Sequence, residues 1–146
     1  MSSATLLSRF TSRNHVSVIA PADRRVVKRD GSTVPWDTVK VTRAIALAFF
    51  EVRHGTTDNP HRADPAARYG LDADTFARAQ AIAARFARMV ELVYRSGRHP
   101  GIEEVQDTVE KAIAAEGEWE VARAYIIYRA KKAAHRLNHY AENGLS

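Results

Sequence analysis

Four cationic side chains crowd one short stretch of this sequence: Lys28 and Arg29, then Lys40 and Arg43 a few residues on. The stretch reads as a basic hairpin, Arg25 to Trp36, running directly into a helix whose first turns are also basic. A helix start already carries partial positive charge from its unpaired N–H groups, so Lys40 and Arg43 are unfavourable there unless an anion compensates. Lys28 and Arg29 beside them point to a polyanion site. Lys40 and Arg43, three residues apart, share a helical face and can converge on phosphate oxygens. In a strand, Lys28 and Arg29 point to opposite faces, so one would reach phosphate and the other a base, a ribose or the far edge. The bland alternative is a solvated basic surface.

Other constellations carry less. The chain has neither a Gly-rich phosphate loop of GxxxxGK[ST] type nor a GxGxxG turn, so any nucleotide must be held by side chains and hairpin backbone. His135 and His139 have helical metal-ligand spacing, but only Glu142 offers a third ligand, which favours an exposed pair. Glu103, Glu104, Asp107 and Glu110 line one helical face that reads as a solvated flank before it reads as a magnesium site. Trp36 sits where it could stack on a base or pack beneath the hairpin, and Trp119 is a weaker candidate. No nucleophile triad or isolated carboxylate pair stands out, and no catalytic constellation is expected.

The elements that must position these residues follow from periodicity and breakers. Asp30-Gly31 supplies the turn of a small hairpin between Arg25–Arg29 and Thr33–Trp36. Val16 to Ile19 is a further β-branched run, expected as an edge strand before Pro21. Asp37 or Thr38 caps a helix to about Val52, with Val41, Ile45, Ala48 and Val52 on one face. Gly55 to Gly70 reads as a long loop. Asp72 or Asp74 starts a second helix with Phe76, Ala79, Ala83, Phe86, Val90 and Val93 inward, ending near Ser96-Gly97. A third, after Pro100-Gly101, turns Ile102, Val105, Val109, Ala112 and Ile113 to the core. A fourth, from about Glu118 to His139, buries Val121, Tyr125 and Tyr128. The expectation is a mainly α fold, a four-helix bundle with a small N-terminal β-hairpin flap. Residues 25–137 would form the domain, with a weakly ordered leader over 1–24 and a flexible tail over 138–146.

Composition agrees with one domain. The chain has 146 residues, 45% apolar, with no cysteine, which excludes disulfides, thiolate zinc sites and cysteine radical chemistry. Its net charge of +5 favours an acidic partner such as a nucleotide, a nucleic acid or an anionic surface. No apolar run has bilayer-spanning length and the N-terminus lacks a signal-type core, so a cytoplasmic location without membrane contact is expected. The Ser- and Arg-rich, acid-poor leader fits a disordered tail better than an organellar transit peptide.

Val26-Val27-Lys28-Arg29-Asp30-Gly31, with Val34-Pro35-Trp36-Asp37 and Lys40-Val41 at their observed spacing, resembles the opening of the ATP-cone, the regulatory nucleotide-binding domain at the N-terminus of ribonucleotide reductase large subunits. Glu103 to Glu110 resembles the third cone helix, and Ala122 to Arg129 the closing motif. The resemblance implies a helical bundle under a β-flap that binds ATP or dATP with Mg2+ and switches an attached or associated enzyme between assemblies. It implies nucleotide contacts from Val26, Val27, Lys28 and Arg29 of the flap, Asp37 near the base, and Lys40 on phosphate with Arg43 beside it. Gln106 falls where some relatives place a histidine, and position 102, Ile here, is polar in some. A basic residue just after Arg129 often reaches phosphate in the family; position 130 is Ala, so Lys131 or Lys132 would substitute. Lacking cysteines and room for a catalytic barrel, the chain would be no enzyme itself but a free-standing cone or a fragment of a large subunit. Its partners would be reductase subunits or a second cone. A small basic helical regulator binding nucleic acid is the alternative, resting on charge and helix count alone; a structural adaptor is the third reading.

Overall fold

A computed structural model describes residues 17–55 and 65–142, and every structural statement below concerns these. The strongly periodic segments form helices: α1 (Thr38–His54), α2 (Ala73–Arg95), α3 (Ile102–Ala115) and α4 (Trp119–Glu142). They follow an antiparallel hairpin of β1 (Arg25–Val27) and β2 (Thr33–Pro35), with Val26 opposite Val34. Asp37 caps α1 by accepting from the Val39 N–H at 3.0 Å, and Asp72 caps α2 through Thr75 N–H at 2.8 Å. Each cap satisfies a helix-end donor that has no partner within the helix. The expected fold class is the observed one.

α1 packs on α2 and α4, α2 on α3, and α3 on α4. Ile45, Phe49, Ile82, Phe86, Val109, Ile113 and Val121 fill the space between them. Fully burying side chains of this size contributes roughly 1.5–3 kcal/mol each before conformational entropy is subtracted. Val52, expected inside, is exposed: α1 buries Ala46 and Phe49 instead, so its apolar stripe ends one turn earlier.

The hairpin is fastened to the bundle rather than standing free. Val27 N–H donates to Pro100 O at 2.9 Å and Val27 bridges Gly101, which docks β1 on the α2–α3 connection. The Tyr94 hydroxyl donates to Arg25 O at 2.8 Å, and Arg25 N–H donates to His99 Nδ1 at 3.0 Å. Burial, partly offset by the nearby Arg24 cation, pushes the Tyr94 phenol up to about 12, so it remains a donor at neutral pH. Arg24 holds Glu91 with both guanidinium nitrogens, at 2.5 and 2.9 Å, and lies over the Tyr94 ring. Removing the His99 acceptor would strand the Arg25 N–H. His99→Ala is therefore expected to cost about 1–2 kcal/mol, and amide exchange at Arg25 and Val27 should accelerate more than in the helices. Unchanged exchange at both amides would show that the ring does not anchor the flap.

Two connections differ from expectation. Residues 17–20 form no strand: Ile19 N–H makes one bond, to Tyr94 O at 3.0 Å, before Pro21 turns the chain, so this is a tether and not a ladder. Val16, like most of the expected leader, lies outside the described residues. The stretch read as a loop ends in a helical turn, Pro65–Gly70, and Tyr69 and Leu71 belong to the core. Arg68 and Tyr69 have φ of 52° and 54°. A non-glycine residue in the left-handed region is strained, and burial of the Tyr69 ring against Phe76 offsets that cost here. Positions 56–64 of the expected loop and 143–146 of the expected tail lie outside the described residues.

Candidate functional site

Where the flap meets the start of α1 and the start of α3, a cavity of about 440 Å³ opens. Its size falls in the range of small-ligand sites. Lys28, Arg29 and Lys40 line it together with Arg136 of α4. Val26, Val34, Val41, Ile102 and Val105 form an apolar wall, joined by Trp36. Trp36 also stacks on Phe86 at 5.4 Å between ring centroids, so it both supports the flap and faces the cavity.

Lys28 and Arg29 reach the same cavity, which corrects the expectation that they diverge. β1 ends at Val27, and Lys28 already belongs to the turn, its N–H bonded to Ser32 O at 2.7 Å and its carbonyl accepting from Gly31 N–H. Strand alternation no longer applies there. Gly31, at φ 87°, and Asp30, whose carboxylate accepts from Ser32 N–H and Oγ at 2.9 and 2.6 Å, shape that turn. The Ser32 hydroxyl bond, foremost, holds the Asp30 carboxyl below its usual range.

Five of the expected residues meet at the cavity: Val26, Lys28, Arg29, Asp37 and Lys40. Four do not. Val27 faces away from Val26, as strand neighbours must, and contacts the Pro100–Gly101 segment. Arg43 lies nearly one helical turn beyond Lys40, about 4.5 Å further along α1, and does not reach the cavity. Lys131 is turned about 140° around α4 from Arg136 and is exposed away from the opening. Gln106 sits behind the site, accepting from Arg129 Nε at 2.8 Å and Arg29 Nη2 at 3.4 Å.

Arg136 was missed in the sequence, although a signal existed. It follows Arg129 by seven residues, two turns along the same stripe of α4. Among the described residues, Lys28, Lys40 and Arg136 form no ion pair, although the Asp30 carboxylate lies close enough to feel the charge of Lys28.

The acidic face of α3 is solvated in part, as expected, but it is also an ion-pair cluster. Arg129 enters it from α4 and donates to Glu103 Oε2 at 2.6 Å, Asp107 Oδ1 at 2.7 Å and Glu110 Oε1 at 2.6 Å. Partial burial lowers the affinity of Arg129 for its proton, but the bonds to Asp107, Glu103 and Glu110 together outweigh that and raise it. Glu103 is held below the usual carboxylate range, foremost by its bond from Arg129. Glu104 pairs separately with Arg98 at 2.7 and 2.9 Å. Among the described residues no group of three His, Asp or Glu side chains is arranged to hold a metal. No helix among them is long and apolar enough to cross a membrane.

Fold and cavity together define a helical domain whose flap covers one cation-lined, apolar-walled pocket. The chain matches the ATP cone domain over residues 24–134 and belongs to that family. It is 32% identical over 118 residues to a vitamin B12-dependent ribonucleoside-diphosphate reductase of Thermoplasma acidophilum, a match covering 77% of this chain and 12% of that one. It is 30% identical over 111 residues to a ribonucleoside-diphosphate reductase subunit alpha of Chlamydia trachomatis, covering 76% and 10%. The chain thus spans about a tenth of the length of these curated relatives.

Proposed function

We propose that this chain is a non-catalytic regulatory module that binds ATP or dATP in the flap cavity and thereby controls a ribonucleotide reductase. The single observation carrying this reading is the convergence of Lys28, Lys40 and Arg136, unpaired among the described residues, on a hollow whose other wall is apolar. Such a lining suits a ligand with a polyanionic tail and a flat, weakly polar body. The phosphates would meet Lys28, Lys40 and Arg136, with the base toward Trp36 and the valines.

Both carboxylates in the lining are engaged, Asp30 with Ser32 and Asp37 with the Val39 N–H. Mg2+ would therefore arrive on the phosphate oxygens and not in a protein-built site. The cone is either free-standing or part of a large subunit, and reductase subunits or a second cone are its partners. Trp119, Ile126, Ile127 and Leu137, exposed on α4, supply apolar surface for such contact.

A ligand that binds only the folded state stabilises it by mass action, by about 2.7 kcal/mol at a hundred times its Kd. ATP or dATP with Mg2+ should accordingly raise the melting temperature by roughly 10 °C for a domain of this size. No shift at millimolar nucleotide would overturn the reading. Indifference to ATP combined with steeply salt-dependent binding of DNA or RNA would instead favour a nucleic-acid regulator.

A further inference from the structure

Arg29 differs from the other cations of the cavity because it already holds an anion. Its Nη2 lies 2.6 Å from Glu103 Oε1 and 3.4 Å from Gln106 Oε1. Glu103 gives its other oxygen to Arg129 at 2.6 Å, and the same Gln106 oxygen accepts from Arg129 at 2.8 Å. Two acceptors on α3 are thus shared between an arginine of the flap and an arginine of the bundle. Arg29 also lines a second hollow of about 260 Å³, together with Glu103, Glu110 and Arg129. It stands between a cavity rich in unpaired cations and a cluster rich in carboxylates.

We propose that Glu103 is an internal competitor for Arg29, so that a phosphate-bearing ligand in the main cavity must draw this guanidinium away from α3. The proposal rests on the nucleotide reading of that cavity. Before transfer, Glu103 is paired with both Arg29 and Arg129; afterwards Arg129 alone is paired with Glu103, Asp107 and Glu110, with Arg136 lining the same hollow. Filling the cavity therefore changes the charge balance along the α3–α4 edge by one unit. An effector shifts a regulated assembly only through different interactions in its two states, and this transfer supplies such a difference. The Arg29 and Glu103 side chains are 40% and 58% exposed, so the pair is weak and salt-sensitive.

Calorimetric titration with MgATP at low ionic strength tests this on the parent chain, Glu103→Gln, Arg29→Ala and the double variant. Glu103→Gln should tighten binding about two- to fivefold, the range for a partly exposed pair. The gain should vanish when Arg29 is already absent. Glu104→Gln, which removes an equal charge from the Arg98 pair outside the cavity lining, should change affinity little. Melting curves without nucleotide establish that each variant is folded. Equal or weaker binding by Glu103→Gln, the same gain without Arg29, or the same gain from Glu104→Gln would overturn the competition alone. A parent chain that takes up no ATP would overturn the nucleotide reading beneath it.

Discussion

Lys40→Glu is expected to weaken ATP binding about 100-fold, because it replaces an attraction for phosphate with a repulsion of similar size. The expected melting shift with nucleotide would then all but disappear. The change should not harm the fold: Lys40 lies in the first turn of α1, where an acidic side chain suits the helix dipole better than a basic one. The baseline melting temperature should stay level or rise slightly, which separates lost binding from lost structure. Lys28→Glu should act in the same direction from the flap. Lys131→Glu makes the same charge change away from the opening and should bind like the parent. If Lys40→Glu and Lys28→Glu both retain full affinity, the nucleotide is bound elsewhere.

Removing Arg129 should have the largest effect on stability of any single charge removal at the α3–α4 contact, because it is the cation with the most carboxylate partners there. Arg129→Met keeps much of the apolar stem but leaves Asp107 and Glu110 without their cation and Glu103 held by Arg29 alone. Breaking a fully buried ion cluster costs about 3–5 kcal/mol. Here Glu103 and Asp107 are 58% and 57% exposed, so water screens much of the repulsion. A loss of about 2 kcal/mol is expected, read as a lower urea midpoint.

The pH dependence gives the sign. Glu103 is depressed in the folded chain, foremost by its Arg129 bond, so its contribution is present above its unfolded pKa and drains as pH falls through the folded value. The gap between parent and variant should therefore be widest near neutrality and close toward pH 4 and below. A gap independent of pH would mean that lost packing, not charge, is responsible.

Some of the site was legible because it is local. Val26, Lys28, Arg29, Asp37 and Lys40 fall within fifteen residues, and hairpin, turn and helix start follow from Asp30-Gly31 and the Asp37 cap. The helices were readable for a related reason: apolar recurrence at three- and four-residue steps needs no knowledge of what packs against it. Strand alternation failed at Lys28 because it depends on where β1 stops, and Lys28 is already held in the turn by its bonds to Ser32 and Gly31.

Lys131 was singled out on a basic helix and Arg136, five residues on, was not. Choosing between them requires the rotation of α4 about its own axis, which the buried Val121 and Tyr125 set against the rest of the core. Likewise, α3 presented a row of acids whose partner, Arg129, lies some twenty residues away on another helix. Elements, caps and the basic flap come from interactions between near neighbours in the chain, which any reader of the residues can count. Which cations share a cavity, and which are already neutralised, depends on helix rotation and axial offset; these emerge only when every side chain of the core is packed at once.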